Sequence, residues 1–117
     1  PFDPSTIQAI ASAIRAAQPL GLNPADDGRI VRVPVPPLTE ERRKELVKQC
    51  NKIGERTKVE VRNVRGEVKD KLKKAIKEGL SEDLEKDAEN DLQKVHDKFI
   101  KRIDDLLNEK QKEIMTV

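Results

Sequence analysis

The sequence predicts a mainly α chain in which two long antiparallel helices accompany a small, incomplete mixed helix-and-strand (α/β) unit. Three observations carry that expectation. Apolar or small residues recur at three- and four-residue steps from Leu46 to Ala75, and again from Leu84 to Ile114. A proline cluster, Pro34, Pro36 and Pro37, divides the chain. β-Branched residues gather in one short run, Arg29 to Val33.

Composition bounds what these elements can build. A chain of 117 residues suffices for one ordinary domain but not for two complete ones. Aromatic residues make up only 2% of it, against 39% charged residues, so any core is aliphatic and thin. Cys50 is the single cysteine, which excludes an internal disulfide and a cysteine-based zinc cage. No apolar run approaches the roughly 18 residues that span a bilayer.

The first element follows Asp3 and Pro4, a cap residue followed by proline at the first helical position, and a short helix is expected over Ser5 to Gln18. Gly21 and the run Asn23 to Gly28 supply turn chemistry. Arg29 to Val33 then reads as a strand for which the chain offers no partner, although a lone strand cannot satisfy its backbone. The prolines after it favour an extended connector. The expected division is therefore residues 1–36, an incomplete small unit ending in a proline-rich segment, and residues 37–117, the long helices.

Thr39 is placed to cap the first long helix, with Glu40 and Glu41 in the turn where the helix dipole favours negative charge. A helix from Thr39 to Glu78 would be about 60 Å long, which suits a rod-like bundle. Gly79 ends it and Ser81 starts the next, whose stripe includes Leu84, Leu92, Phe99, Ile103 and Ile114. The short connection makes the two helices antiparallel neighbours. Two such helices bury one seam only, so a third helix or a partner is expected.

Charge is distributed as unevenly as hydrophobicity. Residues 41–80 hold fourteen basic and seven acidic side chains, a net +7, while residues 81–117 hold seven basic and eleven acidic, a net −4. On a wheel of about 100° per residue, Lys44, Lys48, Lys58, Arg62, Arg65, Lys69 and Lys73 fall in one sector of the first long helix, away from its apolar stripe. Cations spaced in this way suit the phosphates of a folded RNA, recognised by backbone and shape. The alternative is a solvated face whose lysines pair with glutamates on adjacent turns. The scarcity of aromatics disfavours stacking on single-stranded bases.

Reactive chemistry is sparse. His96 flanks the second stripe beside Asp97 and reads as a surface or boundary histidine rather than a general base. Cys50 lies in the apolar stripe, where a thiol acts as a small hydrophobe. Asp104 and Asp105 point to different helix faces, and neither a phosphate-cradling glycine loop nor a metal-ligand cluster is present. The chain is therefore read as no enzyme, with no catalytic residue, metal or cofactor.

Several segments, in order, closely resemble the ribosome recycling factor family: Leu20-Gly21-Leu22-Asn23-Pro24, the run Ile30 to Leu46 through Pro36-Pro37-Leu38-Thr39-Glu40-Glu41-Arg42-Arg43, Val61-Arg62-Asn63-Val64-Arg65, and Leu80-Ser81-Glu82-Asp83. The similarity runs from Phe2 to the carboxyl end. It implies a three-helix bundle, with helices two and three here, joined to a small α/β domain through a hinge at Val35, Pro36 and Pro37. It implies binding to the large ribosomal subunit and its ribosomal RNA after termination. Separation of the subunits would follow with elongation factor G and GTP, with no membrane or DNA as partner. The residue matching Arg65 is an RNA contact of the family, and Arg62 lies one turn earlier.

The family's first bundle helix and early small-domain strands have no counterpart after Pro1, so a fragment with exposed apolar stripes is expected. Gly66 departs from the basic residue usual after the family's arginine. The compartment would be the bacterial cytoplasm, a mitochondrial matrix or a plastid stroma. Two other readings are a helical structural or adaptor protein and a ribosome-bound factor of assembly or hibernation.

Overall fold

A computed structural model describes all 117 residues, Pro1–Val117, as two compact units, Pro1–Leu38 and Thr39–Val117. In the first, the Asp3 carboxylate accepts the Ser5 N–H at 2.9 Å and starts a single 3₁₀ turn, Pro4–Thr6. The turn runs into helix α1, Ile7–Ala16. The helix is shorter at both ends than the expected Ser5 to Gln18. Proline disfavours helical backbone in the residue before it, and Pro19 instead occupies a second 3₁₀ turn, Gln18–Leu20, closed by Gly21 at φ +59°. Ile7 and Ala11 are the buried apolar side chains of α1.

The strand expectation needs correction in two respects. The chain does supply a partner: β1, Ala25–Asp26, pairs antiparallel with β2, Val31–Arg32, in the register Ala25 to Arg32 and Asp26 to Val31. Ala25 and Asp26 have low strand propensity and sit in a turn-rich run, which hides them from a propensity reading. The second strand is also shorter than Arg29 to Val33, because Asp27 captures its start. Its carboxylate accepts the N–H groups of Arg29 and Ile30, each at 3.0 Å, and the Arg32 guanidinium at 2.8 Å. These bonds, the one from Ile30 foremost, hold the Asp27 carboxyl below the usual carboxylate range. Gly28 takes φ +81° inside this turn. Arg15 reaches back to the Pro24 carbonyl at 3.1 Å, and Gln8 to Asp26 at 3.2 Å, which ties α1 to the hairpin.

The second unit consists of α2, Glu40–Lys77, and α3, Glu82–Met115. At about 1.5 Å per residue they are roughly 57 and 51 Å long. Thr39 Oγ1 accepts the Arg42 N–H at 3.1 Å, and Ser81 caps α3 through Leu84. Between them Gly79 N–H bonds the Ile76 carbonyl and Leu80 N–H the Ala75 carbonyl, both at 3.0 Å, with Gly79 at φ +108°. This is the paired closure of a Schellman turn, and it requires glycine at that backbone angle.

Polar pairs fix α3 as antiparallel to α2. Arg43 donates to the carbonyls of Ile114 and Thr116, Asn51 accepts from Gln111, Lys58 meets Asp104, Arg65 meets Gln93 and Lys69 meets Glu89. Residue numbers rise on α2 as they fall on α3. Arg43 also places a cation at the carbonyl end of α3, where the helix dipole favours it.

One seam is buried and the rest of the apolar surface is not. Cys50, Val61, Val68 and Leu72 of α2 and Leu92, Ile100, Ile103 and Leu107 of α3 are half-buried. Gly54 is the one fully buried residue of the two helices, and a Cβ there would collide with the Leu107 side chain. On one flank of the seam Ile53 (64% exposed), Val64 (59%), Phe99 (51%) and Leu106 (55%) stay open to solvent. The unfinished core expected from the two stripes is thus observed directly.

Candidate nucleic-acid interface

Viewed down α2, three sectors follow one another around the helix. The open apolar strip, with Ile53 and Val64, lies on one side of the α3 contact, and the basic row lies on the other. The row therefore borders the polar side of the interhelical seam, where α3 presents Glu89, Gln93, Asp97 and Asp104.

That neighbourhood divides the seven predicted cations. Arg62, Lys48 and Lys73 are exposed and make no ion pair. Lys44 pairs with Glu40 one turn earlier at 3.0 Å, with 62% of its side chain exposed. Exposed pairs of this kind contribute little and are readily exchanged for another anion. Lys69 faces Glu89 loosely, at 3.9 Å. Lys58 differs from the rest: its side chain is 14% exposed and its ammonium lies between Asp104 and Glu55. The hydrogen bond to Asp104 is the main reason that its proton is held more tightly than in an ordinary lysine. Its charge is already matched within the molecule.

Arg65 is half-buried and braced. It donates to Gln93 Oε1 at 3.0 Å, and Gln93 Nε2 donates to Asp97 Oδ1 at 2.9 Å. Asp97 also accepts His96 Nδ1 at 3.0 Å. Arg65, Lys69, Glu89, Asn90, Leu92 and Gln93 line a shallow recess of about 240 Å³. Arg62, Arg65, Lys69 and Lys73 form one cluster on successive turns. Lys44 and Lys48 form a second group, with Asn51 and Glu55 between the two and about 21 Å from Lys48 to Arg62 along the axis. Gly66 lies in the first cluster with nothing within 4 Å of the place a Cβ would take.

This arrangement offers braced and unpaired positive charge along about three turns, and a second patch further along the same face. Spacing of that kind binds phosphates by counterion release. The proline-rich residues lie elsewhere: Val35 is 78% exposed, and Pro36 and Pro37 are exposed in an extended segment of the first unit. Nothing in the sequence assigns Gln93, Asp97 or Arg43 a part in the site. The four-residue spacing of Gln93 and Asp97 was a visible signal, but their approach to Arg65 depends on the register of α3. No helix is long and apolar enough to cross a membrane.

Comparison with known proteins shows the family. The family model described as ribosome recycling factor matches residues 1–115. A ribosome-recycling factor of Synechococcus sp. (strain JA-2-3B'a(2-13)) is 52% identical over 118 residues, covering 100% of this chain and 64% of that protein. One from Bacteroides thetaiotaomicron is 54% identical over 117 residues, covering 100% of this chain and 62% of the relative. One from Staphylococcus haemolyticus is 50% identical over 118 residues, at 100% and 64% coverage. The chain thus spans less than two thirds of the length of these curated relatives. With the family model matching residues 1–115 and these relatives covering the whole chain, the chain belongs to the ribosome recycling factor family.

Proposed function

We propose that this chain supplies the RNA-gripping part of a factor that separates ribosomal subunits after termination. The observation that carries the reading is the cluster Arg62, Arg65, Lys69 and Lys73 on one face of α2, with Arg65 held in place by Gln93. In this reading the cluster, extended by Lys44 and Lys48, lies along ribosomal RNA of the large subunit. Lys58 stands at its edge and serves mainly to hold α3 through Asp104.

Elongation factor G would supply the GTP hydrolysis. Val35, Pro36 and Pro37 would act as the hinge between the two units, since proline restricts the backbone without donating to a ladder. The open apolar flank would receive the third helix of the bundle. The relatives named above are bacterial, which supports action in the bacterial cytoplasm.

The test is functional. A protein carrying this chain should raise the rate at which post-termination ribosomes split, followed by light scattering, only when elongation factor G and GTP are both present. Splitting without either one, or none with both, would overturn the reading. An adaptor whose basic face is only solvated would leave the ribosomes intact.

A further inference from the structure

We infer that Gln93 is a positioning residue for RNA: its amide holds the Arg65 guanidinium in place while leaving the positive charge of that side chain uncancelled. The inference rests on the RNA reading of the α2 ridge and deepens it at one residue.

Lys58, Arg65 and Lys69 all reach across to α3, but they meet two different kinds of partner. Lys58 meets the Asp104 carboxylate, and Lys69 faces that of Glu89 at 3.9 Å. A carboxylate offsets the charge that it holds. Arg65 makes no ion pair, and its partner across the seam is the neutral Gln93 Oε1, at 3.0 Å. An amide oxygen accepts an N–H as a carboxylate does but adds no charge, so a guanidinium held in this way still attracts a phosphate.

The direction of the amide is set from its other end. Gln93 Nε2 donates to Asp97 Oδ1 at 2.9 Å, and the same oxygen accepts His96 Nδ1 at 3.0 Å. The His96 side chain lines the recess between the two helices and is only 10% exposed, so it gives the relay a fixed end. The His96 bond foremost, and the Gln93 bond after it, hold the Asp97 carboxyl below the usual carboxylate range. An ionised carboxylate only accepts and therefore takes the NH₂ end of the amide, while Arg65, which only donates, takes the oxygen. A flipped amide would set NH₂ against guanidinium and oxygen against carboxylate. The negative charge of Asp97 thus orders Arg65 through Gln93 without pairing with it.

Gln93 is itself exposed, and circular dichroism should show both helices formed in each variant below. Binding of isolated large ribosomal subunits by a protein carrying this chain, followed across a salt series, separates charge from position. Gln93→Glu sets a carboxylate on Arg65 and should flatten the salt slope by about one unit. Gln93→Ala keeps the charge but frees the side chain, so affinity should fall about two- to tenfold with the slope unchanged. Beside Arg65→Ala, Gln93→Ala should cost nothing further. If Gln93→Ala bound as the original does, or lost as much again beside Arg65→Ala, the positioning role would be wrong while the ridge stood. An unchanged slope in Gln93→Glu would refute the charge-sparing part of it. If Arg65→Ala alone bound like the original, the ridge reading would fail as well.

Discussion

Replacing Arg65 by glutamate is expected to lower affinity for isolated large ribosomal subunits by at least about tenfold at moderate salt, because it removes one phosphate contact and adds a repelling charge. Arg65 is held by Gln93, which Asp97 holds in turn. Arg65 sits at the edge of the recess between the two helices and bonds Gln93 across it, so the variant's melting temperature should fall modestly while circular dichroism still shows both helices formed. The same reversal at Lys58 should act differently: a glutamate facing Asp104 would strike the interhelical seam first and lower stability before binding. Sedimentation with large subunits, read beside the melting curve of each variant, separates the two effects. Full binding by Arg65→Glu would remove the ridge from the mechanism.

Glycine-to-alanine substitution at Gly54 and at Gly66 should have opposite signs. Both residues lie in the interior of α2, where alanine ordinarily gains about 1 kcal/mol over glycine. Gly66 faces open space, so Gly66→Ala should gain that amount and raise the urea midpoint. At Gly54 the new methyl meets the Leu107 side chain, and overpacking of about 1–3 kcal/mol should offset or outweigh the helix gain, for a net loss of up to about 2 kcal/mol. Trimming Leu107 to alanine first should restore the favourable sign at Gly54. Stabilisation by Gly54→Ala in the original background would contradict the close approach of the two helices.

Why some of this was legible in the sequence and some was not follows from the range of the interactions. Thr39, Gly79 and Ser81 act within one turn of themselves, and each closes or opens a helix where local chemistry requires it. The two stripes disclosed the unfinished core, because periodicity reports which face needs covering whether or not anything covers it. The hairpin was hidden because Ala25 and Asp26 pair through backbone alone, and because Asp27 spends its carboxylate on the start of the expected strand. Within the site, the wheel gathered all seven cations, but only the register of α3 distinguishes Arg62 and Lys73, open to a ligand, from Lys58, neutralised by a residue 46 positions away. His96 shows the same limit: its position at the margin of the stripe was visible, whereas the burial of its Nε2 without a partner is a property of two helices together.

The salt dependence of binding to large subunits bears most directly on an RNA-gripping α2. With Lys44, Lys48, Arg62, Arg65, Lys69 and Lys73 on phosphates, the logarithm of affinity should fall against the logarithm of salt with a slope of about −5, or roughly a thousandfold between 50 and 200 mM. Arg65→Glu should flatten that slope by about one unit or more. A flat response would mean that the ridge is a solvated helix face and that the ribosome is held by some other surface.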